Sequence, residues 1–315
     1  MKGFVRHGPA SLGRRLATGL TLLALVAACG TGPSTPPVNG SPSGSGAALA
    51  VVGTENFYAE LLTEIGGARV HATSLLNDPN ADPHEFETSP QDAALVADAR
   101  LVIVNGIGYD DFMQQLLGAA PNPSRVVINV QQLLGVGDDV NVHVWYDPGT
   151  MPKVAHAAAQ ALSQLDPEGA AYYDANEQAY VASLKPLADE VALLKSTFSG
   201  APVAFTEPVA GYLAAAIGLH VLTPEAFQKA IEEGTDPAPA DVAAEQDLLT
   251  GKQVKVLLYN SQVTSRITQQ IHDVAVSNGI PVVGMAETMP PAYQRYVDWQ
   301  LAQMQALQAA LARGS

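Results

Sequence analysis

The sequence predicts an α/β protein with two similar lobes, each built on a parallel sheet, and a long connecting helical segment between them. Short strands that are apolar on both faces alternate with helices along most of the chain, which is typical of parallel sheets covered by helices. The alternation stops once, at residues 151–198, where helical segments follow one another without a strand. With 315 residues, 47% of them hydrophobic, the chain is long and apolar enough for two packed lobes.

The first 28 residues have the parts of a bacterial secretory signal. Four basic residues precede an apolar run from Leu16 to Ala28, which is shorter than the ~20 residues of a membrane span. Cys29 directly follows Val-Ala-Ala, an order that resembles a bacterial lipobox, in which cleavage exposes a cysteine that carries lipid. Gly, Ser and Pro dominate the following residues, so that 29–46 are predicted to be a lipidated cysteine and a flexible tether. We therefore expect lipid anchoring on the extracytoplasmic face of the cell membrane.

Composition narrows the range of partners. The chain has 31 acidic and 16 basic residues and a net charge of −15, which disfavours nucleic acid and favours a cationic partner. Cys29 is the sole cysteine, so that no disulfide forms within the chain. We expect a monomer that contacts the membrane through the lipid anchor only.

The first lobe is predicted over residues 47–150. The run Leu101-Val102-Ile103-Val104 is apolar at every position and ends in Asn-Gly, which indicates a buried strand followed by a turn. The predicted strands are 48–53, 70–76, 101–104 and 126–130, and the predicted helices are 58–65, 90–99 and 110–117.

The connector is predicted over residues 151–198 and the second lobe over 199–315. Pro186 lies between two helical segments of the connector and is expected to break or kink them, because its ring clashes with the preceding turn. The predicted connector helices are 151–164, 169–184 and 187–198. In the second lobe the predicted strands are 202–205, 220–222, 254–259 and 281–284, and the predicted helices are 209–217, 239–250, 265–277 and 293–311.

Four side chains of metal-ligand type lie in loops of the two lobes. Ligands of open α/β sheets bind beyond the carboxyl ends of the strands, so loops after strands are the places to search. His84 lies in a polar Asp-Pro-His-Glu loop and His143 in Asn-Val-His-Val-Trp-Tyr-Asp. Glu207 and Glu287 each follow an apolar strand. Each residue alone has an ordinary structural explanation, but together they supply two imidazoles and two carboxylates, a complete set for Zn²⁺ or Mn²⁺ in the cleft between the lobes.

Two neighbours of His143 are candidates for a supporting role. Trp145 could exclude water from the site, and Asp147 could accept a hydrogen bond that orients a ligand histidine.

Four segments carry a resemblance to a known family. DPHEFE, NVHVWYDP, TEPVAGYL and GMAETMPPAY are similar to segments of the zinc and manganese solute-binding proteins of bacterial ABC importers, the ZnuA/TroA type. The resemblance covers residues 48–312. It implies two α/β lobes joined by a long rigid helix, and one metal ion that is held between the lobes. It also implies delivery of the ion to a membrane permease powered by a cytoplasmic ATPase.

The ligands implied by the resemblance fall on the same four residues. The first is His84, and the second is His143. The third position is His in many zinc-binding members and Glu in manganese-binding ones, and here it is Glu207. The fourth is Glu287, where Asp is commoner in the family. Zinc and manganese both remain open, because carboxylates suit Mn²⁺ whereas Zn²⁺ binds more tightly at most N/O sites.

Two other functions compete with metal capture. A secreted metallohydrolase would use three ligands, with Glu207 as the general base, but the chain has no HExxH helix. A surface adhesin is the other alternative, because a surface lipoprotein of this kind could also contact host partners. We expect a binding protein and not an enzyme.

Overall fold

The computed structural model describes residues 47–78 and 83–313, and the side chain of His84 lies outside that description. The predicted signal, Cys29 and the tether are also outside the described residues. Within the described ranges, each helix is too short or too polar to cross a membrane.

The first lobe is a four-stranded parallel sheet with the strand order β2-β1-β3-β4. Its core strand β3 is buried on both faces, and Leu101 lies opposite Val51 on one side and opposite Val126 on the other. The strands are β1 (Leu49–Glu55), β2 (Val70–Leu76), β3 (Leu101–Val104) and β4 (Val126–Asn129), and the helices are α1 (Asn56–Gly66), α2 (Pro90–Asp98), α3 (Phe112–Ala119) and α4 (Val130–Leu134).

The second lobe repeats this topology with the order β6-β5-β7-β8, and all pairings in the two described sheets are parallel. The strands are β5 (Pro202–Phe205), β6 (His220–Val221), β7 (Val256–Asn260) and β8 (Val282–Met285). The connector helices are α5 (Thr150–Leu165), α6 (Ala170–Ser183) and α7 (Lys185–Phe198), and the remaining helices are α8 (Gly211–Ile217), α9 (Glu225–Glu232), α10 (Pro239–Thr250), α11 (Arg266–Ser277) and α12 (Tyr296–Arg313).

Local sequence explains several of the element boundaries. Ser89 caps α2, and its side chain and that of Asp92 satisfy each other's backbone amides in a capping box. Gly53, two residues before the end of β1, is required because a Cβ atom there would overlap the backbone nitrogen of Ala59 in α1. Pro186 lies in the first turn of α7, and α6 ends three residues before it, so the predicted break of the connector is confirmed.

The largest apolar cluster of the described residues spans both lobes. Phe57 of α1 packs against Trp145 at 5.0 Å and Trp299 at 6.0 Å between ring centroids. Trp299 belongs to α12, which packs against α7 and β8 and reaches α1 of the first lobe. This contact fixes the carboxyl ends of the two sheets close to each other, where the candidate ligands lie.

The predicted fold class is confirmed, and each predicted strand is present in the structure. Two helices are additional to the prediction, α4 and α9. The second of these matters for the site, because α9 brings Glu232 close to His143.

Candidate metal centre

Three of the four predicted ligands meet between the lobes. His143 comes from the first lobe, directly before a 3-10 turn (Val144–Tyr146). Glu207 follows β5, and Glu287 lies two residues after β8. One potential ligand atom from each of the three lies within 4.8 Å of the others, and the residues are 0%, 2% and 0% exposed, respectively. The arrangement is a buried imidazole facing two buried carboxylates.

The fourth predicted ligand, His84, belongs to a 3-10 turn (Pro83–Glu85) of the first lobe. Its side chain lies outside the described residues, so its part in the site remains a prediction.

Asn260, at the end of β7, joins the two glutamates. Its Nδ2 donates to Glu207 Oε2 at 2.5 Å and to Glu287 Oε1 at 2.6 Å. Its Oδ1 accepts from the backbone amide of Gln262 at 2.9 Å, which fixes the amide orientation. Asn260 is 1% exposed, so the bridge is shielded from water.

The loop that carries Glu287 is held by two further side chains. Gln262 Oε1 accepts from the backbone amides of Glu287 at 2.6 Å and Thr288 at 2.8 Å. From the other lobe, the Tyr109 hydroxyl donates to Glu287 Oε2 at 2.9 Å. Burial, followed by the nearby charge of Glu287, raises the pKa of Tyr109 well above its ordinary value, so that the phenol stays protonated and donates.

The ring of His143 is oriented by Asn141. Asn141 Oδ1 lies 2.8 Å from His143 Nδ1 and also accepts from the His143 backbone amide at 2.9 Å. An amide oxygen only accepts, so this contact assigns the proton to Nδ1 and leaves Nε2 as the ligand atom. Nε2 lies 3.5 Å from Glu287 Oε2.

At His143, Asn141 therefore has the orienting role for which Asp147 was a candidate. Asp147 Oδ1 accepts from the backbone amide of Gly149 at 2.8 Å and stabilises the turn before α5. Trp145 behaves as predicted, because it is fully buried and packs edge-on against His143 at 5.2 Å. Asn141, Asn260 and Tyr109 were missed because no local pattern marks them, although the polar residue that ends each central strand was a usable signal for Asn260.

Acidic neighbours change the ionisation of His143. Burial lowers its pKa, but Glu232, Glu287 and Glu207 oppose this effect, and the net result is a pKa above the ordinary value. Glu232 Oε1 lies 3.9 Å from Nδ1. A cation that binds to this imidazole therefore competes with a proton.

A cavity of ≈510 Å³ lies beside the cluster, with one wall from each lobe. The first lobe contributes the segment 138–142, and the second contributes α9. The acidic residues that line the cavity are Asp138, Asp139, Glu225, Glu232 and Glu233. Such a surface raises the local concentration of cations next to His143.

Comparisons with known proteins identify a family for this chain. The chain matches the family model described as ZnuA, zinc-uptake complex component A, periplasmic, over residues 51–310. The manganese-binding lipoprotein MntA of Halalkalibacterium halodurans is 30% identical over 175 residues, which are 53% of this chain and 55% of that protein. The match thus spans little more than half the length of that relative. The metal ABC transporter substrate-binding lipoprotein FimA of Streptococcus parasanguinis is 25% identical over 262 residues, 77% of this chain and 81% of that protein.

Solved structures share the fold. The periplasmic zinc-binding protein TroA of Treponema pallidum superposes with a TM-score of 0.72 at 20% identity, over 84% of this chain and 99% of that one. The solute-binding protein FpvC of Pseudomonas aeruginosa, in complex with Mn²⁺, gives a TM-score of 0.71 at 20% identity, over 85% of this chain and 100% of that one. Because the family model covers both lobes and the connector, this chain belongs to the ZnuA family.

Proposed function

We propose that this protein is the extracytoplasmic solute-binding component of an ABC importer, which captures one divalent transition-metal ion between its lobes and delivers it to the membrane permease. The observation that carries the proposal is the buried convergence of His143, Glu207 and Glu287 from both lobes. Imidazole nitrogen and carboxylate oxygen are ligands of Zn²⁺ and Mn²⁺. We assign the fourth ligand to His84, on the strength of the sequence.

Ligands from two lobes couple ion binding to the position of the lobes. An ion held by His143 from one side and by Glu207 and Glu287 from the other favours the closed arrangement, since that arrangement alone offers all the ligands. A permease and its ATPase can therefore distinguish the loaded protein from the empty one. The acidic cavity beside α9 supports cation capture from outside.

The relatives support a transition metal and leave its identity open. Their names mention manganese for MntA, zinc for TroA and iron for MtsA of Streptococcus pyogenes. FpvC is described in complex with Ni²⁺ and with Mn²⁺. For this chain, zinc and manganese remain the proposed cargo.

Anchoring is the second part of the proposal. Cleavage before Cys29 and lipidation of its thiol would hold the protein at the extracytoplasmic face, with residues 30–46 as the tether. The relatives MntA and FimA are described as lipoproteins. In the native host, we expect Cys29→Ala to abolish incorporation of labelled fatty acid and to release the protein from the membrane fraction. Ser41→Ala is the control, and a Cys29→Ala protein that still carries lipid would contradict the assignment.

The ZnuA family consists of non-enzymatic binding proteins, so the metallohydrolase alternative lacks support. An adhesive role likewise lacks support from any described surface.

Metal content of purified protein tests the proposal. We expect one equivalent of Zn²⁺ or Mn²⁺ in the stripped and reloaded wild type, and loss of the ion in Glu207→Gln and His84→Ala. Matched controls are Glu245→Gln, which changes a buried carboxylate of the same lobe away from the cluster, and His71→Ala, which changes an exposed histidine of β2. Wild-type protein without bound metal would overturn the proposal. Retention of metal in His84→Ala alone would reject only the fourth ligand.

A further inference from the structure

Asn260 is hydrogen-bonded to one carboxylate oxygen of each of the two glutamates. Its Nδ2 donates one hydrogen to Glu207 Oε2 and the other to Glu287 Oε1. On Glu287 the remaining oxygen, Oε2, accepts from Tyr109, so that both of its oxygens take part in described hydrogen bonds. Each of these carboxylate oxygens keeps a second lone pair that an ion can use, so the hydrogen bonds leave coordination possible and fix the orientation of the two carboxylate groups.

The position of Asn260 is fixed by hydrogen bonds at its backbone amide and at both ends of its side-chain amide. Its backbone amide donates to Thr206 Oγ1 at 3.0 Å, and its Oδ1 accepts from the backbone amides of Gln262 at 2.9 Å and Val263 at 3.4 Å. Asn260 also lies opposite Met285 in the pairing of β7 with β8, two residues before Glu287. The amide therefore cannot shift freely to follow a glutamate that changes its binding mode.

The number of oxygens that the glutamates supply decides which metal the site suits. Zn²⁺ in proteins is commonly bound by four ligands in a tetrahedral arrangement. Mn²⁺, like Mg²⁺ and Ca²⁺, prefers octahedral coordination by oxygen atoms. One oxygen from each glutamate, together with His143, gives three donor atoms. Two chelating glutamates would give five donor atoms with the same side chains.

We propose that Asn260 is a specificity-determining residue, which holds Glu207 and Glu287 in single-oxygen binding and thereby biases the site toward four-coordinate Zn²⁺ and against Mn²⁺. This inference rests on the proposed function, since it concerns the preference of the same site. Asn260 is a positioning residue, because it acts on the metal through the two carboxylates.

The test uses the purified full-length chain and two substitutions of Asn260. Asn260→Ala removes the donor, and Asn260→Asp removes it while keeping an oxygen that accepts from the Gln262 amide. Asn122→Asp is the matched control, because Asn122 Oδ1 also accepts from a backbone amide, that of Ser124, in an exposed loop of the first lobe. Circular dichroism shows whether each variant is folded.

Two readouts are measured, the ratio of Zn²⁺ to Mn²⁺ affinity by competition and the visible absorption of bound Co²⁺. Four-coordinate Co²⁺ absorbs strongly, and five- or six-coordinate Co²⁺ absorbs weakly. We expect strong Co²⁺ bands in the wild type and in Asn122→Asp. In Asn260→Ala and Asn260→Asp we expect weaker bands and a Zn²⁺/Mn²⁺ preference that is about tenfold lower, because both hydrogen bonds that fix the carboxylates are lost.

Weak Co²⁺ bands in the wild type would overturn the inference, and so would an unchanged metal ratio and unchanged spectrum in the folded Asn260 variants. Both of these results require that metal is bound, so they leave the proposed function standing. A wild-type protein that binds none of the three ions would instead reject the proposed function itself.

Discussion

Each lobe has an asparagine at the corresponding position of its own sheet, and the two asparagines make different contacts. Asn105 follows β3 in the first lobe, and Asn260 ends β7, which has the same place in the second sheet. Asn105 Nδ2 donates to the carbonyl of Val142 at 2.9 Å, and its Oδ1 accepts from the Tyr58 hydroxyl at 3.0 Å. Asn260 instead bridges two carboxylates. One amide shapes the loop that carries His143, and the other positions candidate ligands directly.

This difference follows from the positions of the candidate ligand residues in each lobe. In the second lobe, Glu207 and Glu287 come directly from strand ends, within reach of an amide on the neighbouring strand. In the first lobe, His143 comes from a loop between α4 and α5, and its position depends on backbone contacts. The shared strand order therefore places polar side chains at the carboxyl ends of both sheets. The loops that follow the strands differ between the lobes, and they determine which contacts those side chains make.

The largest expected effect comes from a ligand of the second lobe. Glu287→Gln should weaken metal binding by more than ~100-fold, which exceeds the loss for a supporting residue. The metal-free protein should become more stable, with a Tm higher by about 2–4 °C, because a buried carboxylate beside Glu207 is neutralised. Scanning calorimetry with and without Zn²⁺ measures both effects. A mutant that melts later on addition of Zn²⁺, as the wild type should, would argue against Glu287 as a ligand.

Acidification should release the bound ion because it protonates His143, the ligand from the first lobe. The pKa of His143 in the metal-free protein is raised, so a proton competes with the metal as the pH falls through that value. The same raised pKa stabilises the metal-free fold below the ordinary histidine pKa, and this contribution is lost as the pH rises through the raised value. Equilibrium dialysis from about pH 7.5 to about pH 5 should show falling Zn²⁺ affinity. A constant affinity would contradict an imidazole ligand.

Loss of a hydrogen-bonded contact between the lobes should have an intermediate effect on Zn²⁺ affinity. Asn56, at the start of α1, donates to the Met289 carbonyl at 2.8 Å and accepts from the Met289 amide at 2.9 Å. Asn56→Ala removes both bonds and should lower Zn²⁺ affinity about tenfold, because closure of the lobes loses stabilisation. Isothermal titration calorimetry measures the change. Asn176→Ala is the control, since Asn176 joins α6 to α1 through the Ile65 carbonyl, and equal losses in both variants would refute a specific role for Asn56.

The smallest effect on metal preference is expected at the first-lobe asparagine. Asn105→Ala removes the acceptor of the Tyr58 hydroxyl and one of the two donors to the Val142 carbonyl, which keeps the Val144 amide, and should lower the free energy of unfolding by about 2 kcal/mol. Its Zn²⁺/Mn²⁺ ratio should stay that of the wild type, in contrast to the Asn260 variants. Urea unfolding and metal competition measure the two quantities. A changed ratio in Asn105→Ala would remove the distinction between the two asparagines.

The pattern of apolar residues was sufficient to predict the strands of both sheets. It was not sufficient to predict the residues that surround the candidate ligands. Runs such as β3 and β5 are apolar at every position, so their burial between helices followed from the residues themselves. Helix α9 was missed, although Phe227 and Ile231 are spaced for one buried face, because it is short and lacks a side-chain cap. Without α9, Glu232 could not be placed beside His143.

The candidate ligands could be predicted from the sequence, whereas the residues that hydrogen-bond to them could not. His143, Glu207 and Glu287 follow recognisable local patterns, and the structure brings them together. The choice between Asn141 and Asp147 as the partner of His143 depends on the turn geometry, since Asp147 bonds to Gly149 instead. The bridge of Asn260 joins residues 53 and 27 positions away along the chain, so it depends on the pairing of β5, β7 and β8.

The most direct measurement is the anomalous diffraction signal of a crystal of the protein grown with Zn²⁺. We expect one strong peak between the lobes, about 2.0–2.2 Å from His143 Nε2 and from one oxygen each of Glu207 and Glu287. A peak elsewhere, or no peak at a saturating Zn²⁺ concentration, would contradict metal capture by this cluster.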